Sequence, residues 1–142
     1  MFFLGTHTPR LDEKGRLVLP AKFRDALQEG LVITQGQEHC LTVWPQDGFM
    51  AEAARVQSKP MTNKDSRDYR RVLFAGAEQV VPDKQGRIGI PLFLRAAAGL
   101  SKDVVVTGIG DRLEIWDPER WAEYRAGAQA RFYEVDEGAD AD

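Results

Sequence analysis

The chain writes one phrase twice. LDEKGRLVLP, from Leu11 to Pro20, returns as PDKQGRIGIP, from Pro82 to Pro91, at an offset of 71 residues. At that offset Asp12 meets Asp83, Gly15 meets Gly86, Arg16 meets Arg87, Pro20 meets Pro91 and Arg24 meets Arg95. The offset then drifts to 73 and 72, so that LVIT (Leu31 to Thr34) meets VVVT (Val104 to Thr107) and LTVW (Leu41 to Trp44) meets LEIW (Leu113 to Trp116). A match of about forty residues per copy is a structural unit used twice, and it constrains the fold more than any composition figure.

Each copy has the same local grammar. A short extended run, HTPRL or EQVVP, meets a polar turn and an apolar run, RLVLP or RIGIP, which is the pattern of a hairpin. In the turn an Asp can accept from the following backbone and a Gly can take the positive φ of a short connection. Pro20 and Pro91 suit the first turn of a helix, and AKFRDALQEG and LFLRAAAGL follow, each closed by a glycine, Gly30 or Gly99. A second hairpin comes next, LVITQGQEHCLTVWP or VVVTGIGDRLEIWDP. Each copy is therefore β-β-α-β-β, too small to bury its own faces, and two copies in one chain are expected to line a shared barrel or sandwich with pseudo-two-fold symmetry.

Three further helices are expected. Gln46 to Gln57 places Phe49, Met50, Ala53 and Val56 on one face, and Pro60 interrupts it. Asp65 to Ala77 places Tyr69, Val72 and Leu73 on one side with Arg67, Arg70 and Arg71 beside them. Asp117 caps a last helix with Pro118 in its first turn and Trp121, Tyr124 and Phe132 as its aromatic side. The divisions this gives are repeat 1 over 5–47, a helical connector over 48–75, repeat 2 over 76–118, a C-terminal helix over 119–133 and an acidic, disordered tail over 134–142.

The 142 residues suit one compact domain or two half-domains sharing a core. No apolar run approaches the ~20 residues needed to span a bilayer, and the start, MFFLGTHTPR, lacks the basic region of a secretory signal. A single cysteine, Cys40, excludes an internal disulfide and suits a reducing cytoplasm. The formal charge of -3 is concentrated in the ending EVDEGADAD, whose five acids leave 17 acids against 19 Lys plus Arg in the rest of the chain. The stretch Thr8 to Arg24 sets Arg10, Lys14, Arg16, Lys22 and Arg24 against Asp12 and Glu13, a local +3. Glu78 to Arg95, its counterpart, reaches only +1. Where charge sits matters more to a polyanion than its total.

Enzymatic chemistry finds little support. His39 and Cys40 are strand neighbours, which point to opposite faces and make a poor nucleophile and base. His7 stands alone and reads as a surface or packing residue. Two histidines and one cysteine offer no zinc spacing, and TGIGD (Thr107 to Asp111) lacks the third glycine and following helix of a dinucleotide loop. No metal, cofactor or small-molecule ligand is expected.

The repeated Asp-x-x-Gly-Arg is different. A turn needs its Asp and Gly, but gains little from an Arg fixed directly after the Gly. A guanidinium can bond a phosphate or the guanine O6 and N7 edge at two points, and an Asp four residues earlier can hold it in one direction. Asp12 with Arg16 and Asp83 with Arg87 are the candidate pairs, with Gly15 and Gly86 shaping the turns. Arg10, Lys14 and Lys84 are candidates for phosphate neutralisation. A non-catalytic adaptor that uses the same arginines for a protein partner remains the alternative.

These residues, with FLGTHTPRLDEKGRLVLPAKFRDAL, LTVWP and LEIWD, carry a resemblance to the MraZ family of bacterial transcriptional regulators, from about Phe3 to Phe132. The resemblance implies an α+β, mainly β fold: two AbrB-like half-domains forming one pseudo-two-fold swapped-hairpin barrel with flanking helices. It also implies a cytoplasmic, nucleoid-associated homo-oligomer, a ring that binds double-stranded DNA at direct repeats in the promoter of the division and cell wall gene cluster. The Asp-x-x-x-Arg loops would carry that binding. The better-charged first loop is expected to contribute more.

Overall fold

The computed structural model describes residues 2–135, so the acidic tail expected over 134–142 lies mostly outside the described residues. Repeat 1 contributes strands β1 (Phe3–His7) and β2 (Arg16–Val18), helix α1 (Ala21–Leu27), and strands β3 (Leu31–Gln35) and β4 (Leu41–Pro45). Helices α2 (Gln46–Gln57) and α3 (Lys64–Ala75) connect it to repeat 2. Repeat 2 supplies β5 (Glu78–Val80), β6 (Arg87–Gly89), α4 (Leu92–Ala97), β7 (Val105–Gly110) and β8 (Leu113–Trp116), and α5 (Pro118–Glu134) follows. Each repeat is thus β-β-α-β-β.

The repeats exchange strands. A six-stranded sheet runs in the order β1-β7-β8-β4-β3-β5, every pair antiparallel, and β2 pairs with β6 in a separate two-stranded ribbon. The first strand of repeat 1 lies on repeat 2, the first strand of repeat 2 lies on repeat 1, and the ribbon takes one strand from each. This is the swapped-hairpin arrangement. Two local expectations change accordingly. The first hairpin of repeat 1 survives only as a bridge between Leu11 and Leu17, because its arms find longer partners in the other repeat. Among the described residues the strands also form a sheet and a ribbon rather than a closed barrel, with β1 and β5 as edges.

The core lies between sheet and ribbon. Leu17, Leu19, Ile88 and Ile90 from the ribbon side meet Leu31, Ile33, Leu41, Val43, Val104, Val106, Leu113 and Ile115 from the sheet, with Phe23 and Leu27 of α1 and Leu94 of α4 closing the ends. Each such side chain contributes about 1.5–3 kcal/mol on burial. The other sheet face is covered by helices. Trp44 packs edge-on against Phe49 of α2, which meets Phe74 of α3, and Trp116 stacks on Tyr124 of α5. Glu52, buried on α2, accepts from Arg55 Nε at 2.7 Å and from Tyr69 Oη of α3 at 3.0 Å, which ties the two connector helices together.

Several positions differ from the periodicity reading. Met50 and Val72 are exposed, and Glu52 and Phe74 take the inward places, because the α2–α3 contact rotates both faces. Phe132, expected on a packed aromatic side, is exposed while Trp121 packs on Trp116. Pro20 and Pro91 stand at the N-cap rather than in the first turn, with extended ψ of 136° and 149°. Gly108 belongs to β7 rather than to a turn. A Cβ there would stand 2.3 Å from the backbone carbon of Phe3, so this glycine is what lets β1 dock.

Candidate nucleic-acid interface

The two arginine turns have one geometry. In the first, Asp12 N–H donates to Arg16 O at 2.9 Å and Gly15 N–H to Asp12 O at 3.0 Å. In the second, Asp83 N–H donates to Arg87 O at 3.0 Å and Gly86 N–H to Asp83 O at 2.9 Å. Gly15 and Gly86 sit at φ +74° and +76°, where a side chain would be strained.

The aspartates do more than close the turns. Asp12 Oδ1 accepts from the Lys14 and Arg16 amides at 2.9 and 2.8 Å, and its Oδ2 accepts from Arg16 Nε at 2.7 Å. Asp83 repeats this with the Gln85 and Arg87 amides, both at 2.9 Å, and with Arg87 Nε at 2.6 Å. The Arg16 and Arg87 amides, foremost, hold both carboxyls below the usual carboxylate range, and the guanidiniums add to this. Each arginine is thereby fixed through Nε, and its Nη atoms have no partner among the described residues.

The ribbon brings the two arginines to one surface. Arg16 lies opposite Gly89, Leu17 opposite Ile88 and Val18 opposite Arg87. Leu17 and Ile88 point into the core, so Arg16 and Arg87 share the outer face, diagonal to each other. Such neighbours lie roughly 7–8 Å apart at Cα. A Cβ at Gly89 would meet nothing within 4 Å, so the face is open at that corner.

The remaining candidates are dispersed around these turns. Lys14 and Lys84 are exposed at the turn tips. Arg10 faces Asp103 at 3.1 Å in an exposed ion pair and is not free as its charge suggests. The surroundings differ: positions held by Arg10 and Lys22 in repeat 1 are held by Val81 and Phe93 in repeat 2, both exposed.

Two residues carry weight that sequence reasoning did not assign. Arg95 of repeat 2 lies against Gly15 of repeat 1, where a Cβ would stand 2.6 Å from its Cζ. Arg24 of repeat 1 lies against Gly86 of repeat 2, where a Cβ would stand 2.6 Å from its Nε. Their match at the offset of 71 was the available signal, but only the strand exchange reveals what they touch.

Other candidate chemistry falls away from this surface. Cys40 is buried, its thiol donates to Gln37 O at 3.2 Å, and burial, foremost, with Glu114 nearby pushes its pKa well up. His7 packs edge-on against Phe23. Among the described residues no group of three or more His, Cys, Asp and Glu could hold a metal ion. A cavity of about 270 Å³ between Trp44, Tyr69 and Arg112 contains none of the turn residues.

Fold and site together define a duplicated swapped-hairpin protein with a matched arginine turn in each half. Residues 2–72 and 73–141 each match the MraZ protein family, described as antitoxin-like. The Transcriptional regulator MraZ of Nocardioides sp. is 66% identical over 137 residues, which cover 96% of this chain and 95% of that protein. Those of Salinispora tropica and Kineococcus radiotolerans are 54% and 55% identical, covering 96% and 92% of this chain and 96% and 91% of those proteins. The chain belongs to the MraZ family.

Proposed function

We propose that the chain is a sequence-specific DNA-binding transcriptional regulator whose interface is the outer face of the β2–β6 ribbon with its two flanking turns. The observation that carries this is the pairing of Arg16 and Arg87, both half-buried, on the outer face of the ribbon, each locked through Nε by its own aspartate while its Nη atoms are unpartnered among the described residues. A guanidinium held this way loses little freedom on binding, and its free edge fits a phosphate or the guanine O6 and N7 pair. At roughly 7–8 Å, the two arginines span about two base steps of 3.4 Å. Lys14 and Lys84 at the turn tips supply phosphate neutralisation, and Arg10 joins them when DNA displaces Asp103. Repeat 1 contributes more, because Lys14 and Lys22 stand where repeat 2 has Gln85 and Phe93.

One such face makes few contacts, so binding draws on repetition. A ring of subunits on direct repeats, at the promoter of the division and cell wall gene cluster, would raise the effective concentration of each face after the first binds. The apolar surface supports a head-to-tail assembly. Phe2, Leu4 and Ile109 are exposed at the β1 edge, and Val72, Val81 and Phe93 lie toward the β5 edge. The two edges differ, which suits heterologous contacts that close into a ring. The test is titration against the DNA upstream of the chain's own gene and against a scrambled duplex, at several salt concentrations. Preference for the upstream DNA with steep salt dependence supports the reading, and equal binding to both defeats sequence specificity.

A further inference from the structure

We infer that Arg95 is a positioning residue for the first arginine turn and Arg24 for the second, so that each half of the interface is held in shape by the opposite repeat. This rests on the DNA-binding reading above and adds a coupling between the two turns that the reading alone does not contain.

The turns are exposed, yet Gly15 and Gly86 at their ends are buried. What covers them is a guanidinium from the other repeat. Arg95 Nε donates to Ile90 O at 2.9 Å, and Ile90 N–H donates to Gly15 O at 3.0 Å. Arg24 Nε donates to Leu19 O at 3.0 Å, and Leu19 N–H donates to Gly86 O at 2.9 Å. Each glycine carbonyl is thus bonded, and each glycine Cα covered, by the strand end and helix of the opposite repeat. The same constellation built twice, 71 residues apart, is a second instance of the design within one molecule.

The covered peptide is the one that matters. The unit joining Gly15 to Arg16 carries the Arg16 amide, which donates to Asp12 Oδ1, the same carboxylate whose Oδ2 fixes Arg16 Nε. Tilting that peptide moves the guanidinium and its partner together. Exposed ion pairs contribute at most about 1 kcal/mol, so the Asp12–Arg16 side-chain pair adds little to the turn beyond the amide bonds that Asp12 accepts. A flat guanidinium with its Nε committed to Ile90 O adds a brace from outside the turn, against the peptide that Ile90 N–H bonds. Lysine has no planar fork and no Nε donor, so it keeps the charge and loses the brace. The lack of a Cβ at Gly15 then has two causes, its φ and the space that Arg95 occupies.

The test is a double-mutant cycle in the full chain with Arg95→Lys, Arg16→Ala and Arg87→Ala, read by affinity for the upstream duplex. Arg95→Lys should weaken binding by roughly 3- to 30-fold. That loss should largely vanish in the Arg16→Ala background and persist in the Arg87→Ala background. The slope of affinity against salt should not change, because no charge is removed. A second readout needs no DNA: in the free protein, Arg95→Lys should shift and deprotect the Gly15 and Arg16 amides more than those of Gly86 and Arg87. Arg24→Lys should do the reverse, and it stands in should Arg95→Lys not fold. Losses that add to Arg16→Ala, or amide changes confined to the variant's own repeat, overturn the inference. Failure of the wild type to bind DNA would defeat the DNA reading while the amide comparison still decides the positioning.

Discussion

Leu17 and Ile88 face each other at the centre of the β2–β6 ribbon, and the pseudo-two-fold axis passes through that pair. It also passes through Thr42 and Glu114, which face each other where β4 meets β8 in the large sheet. The repeats are therefore joined through the core and are not two domains in contact. Leu17→Ala, at a fully buried position, should cost about 2–5 kcal/mol in urea denaturation. Single-tryptophan variants reporting on Trp44 in repeat 1 and Trp116 in repeat 2 should give one common midpoint. Two separated midpoints would mean that the halves unfold independently.

Gly108 sets how β1 docks. With Phe3 backbone 2.3 Å from where its Cβ would be, Gly108→Ala must push β1 away from β7. Hydrogen exchange should accelerate through Phe3 to His7 while β3 and β4 keep their protection. Unchanged exchange in β1 would contradict the close approach.

The turn aspartates titrate in acid. A carboxyl depressed in the folded chain contributes while ionised; that contribution is complete above its unfolded value and is lost as pH falls through the folded one. Asp12 and Asp83 are of this kind. Their turns should stay closed at neutral pH and open only below roughly pH 4. Carboxyl carbon shifts in NMR should give midpoints below those of the unfolded chain, and Asp12→Asn should loosen Arg16 at neutral pH, where the wild-type carboxylate is ionised. Midpoints at or above the unfolded value would remove the aspartates from their orienting role.

Glu114 behaves in the opposite sense. Its carboxyl is pushed up, chiefly by burial, while Trp116 Nε1 donates to it at 3.1 Å. A raised acid favours the fold when protonated, and that advantage is lost as pH rises from its unfolded to its folded value. Glu114→Gln keeps an acceptor for Trp116 and removes the desolvated charge. Thermal melts at pH 7 should show equal or greater stability, by up to about 1 kcal/mol. A drop of several kcal/mol would show that the charge itself is needed.

How much of this was legible in the sequence follows from range. The duplicated phrase disclosed β-β-α-β-β units, and the Asp-to-amide turn chemistry of Asp12 and Asp83 followed from spacing alone, since its bonds span at most four residues. The exchange of β1 and β5 came only from family resemblance, because a repeat reveals a unit and not which copy each strand joins. The Arg95–Gly15 and Arg24–Gly86 contacts depend on that exchange and were invisible for the same reason. Met50 and Glu52 inverted a periodicity reading because Tyr69, on another helix, satisfies Glu52.

The central claim is that the arginine turns on the ribbon bind DNA. Fluorescence anisotropy of the upstream duplex, with Arg16→Ala and Arg87→Ala each compared with the wild type at matched salt, tests it most directly. Arg16→Ala should weaken binding by roughly 10- to 100-fold and Arg87→Ala by less, with the fold unchanged by circular dichroism. Full affinity in both variants would contradict the account.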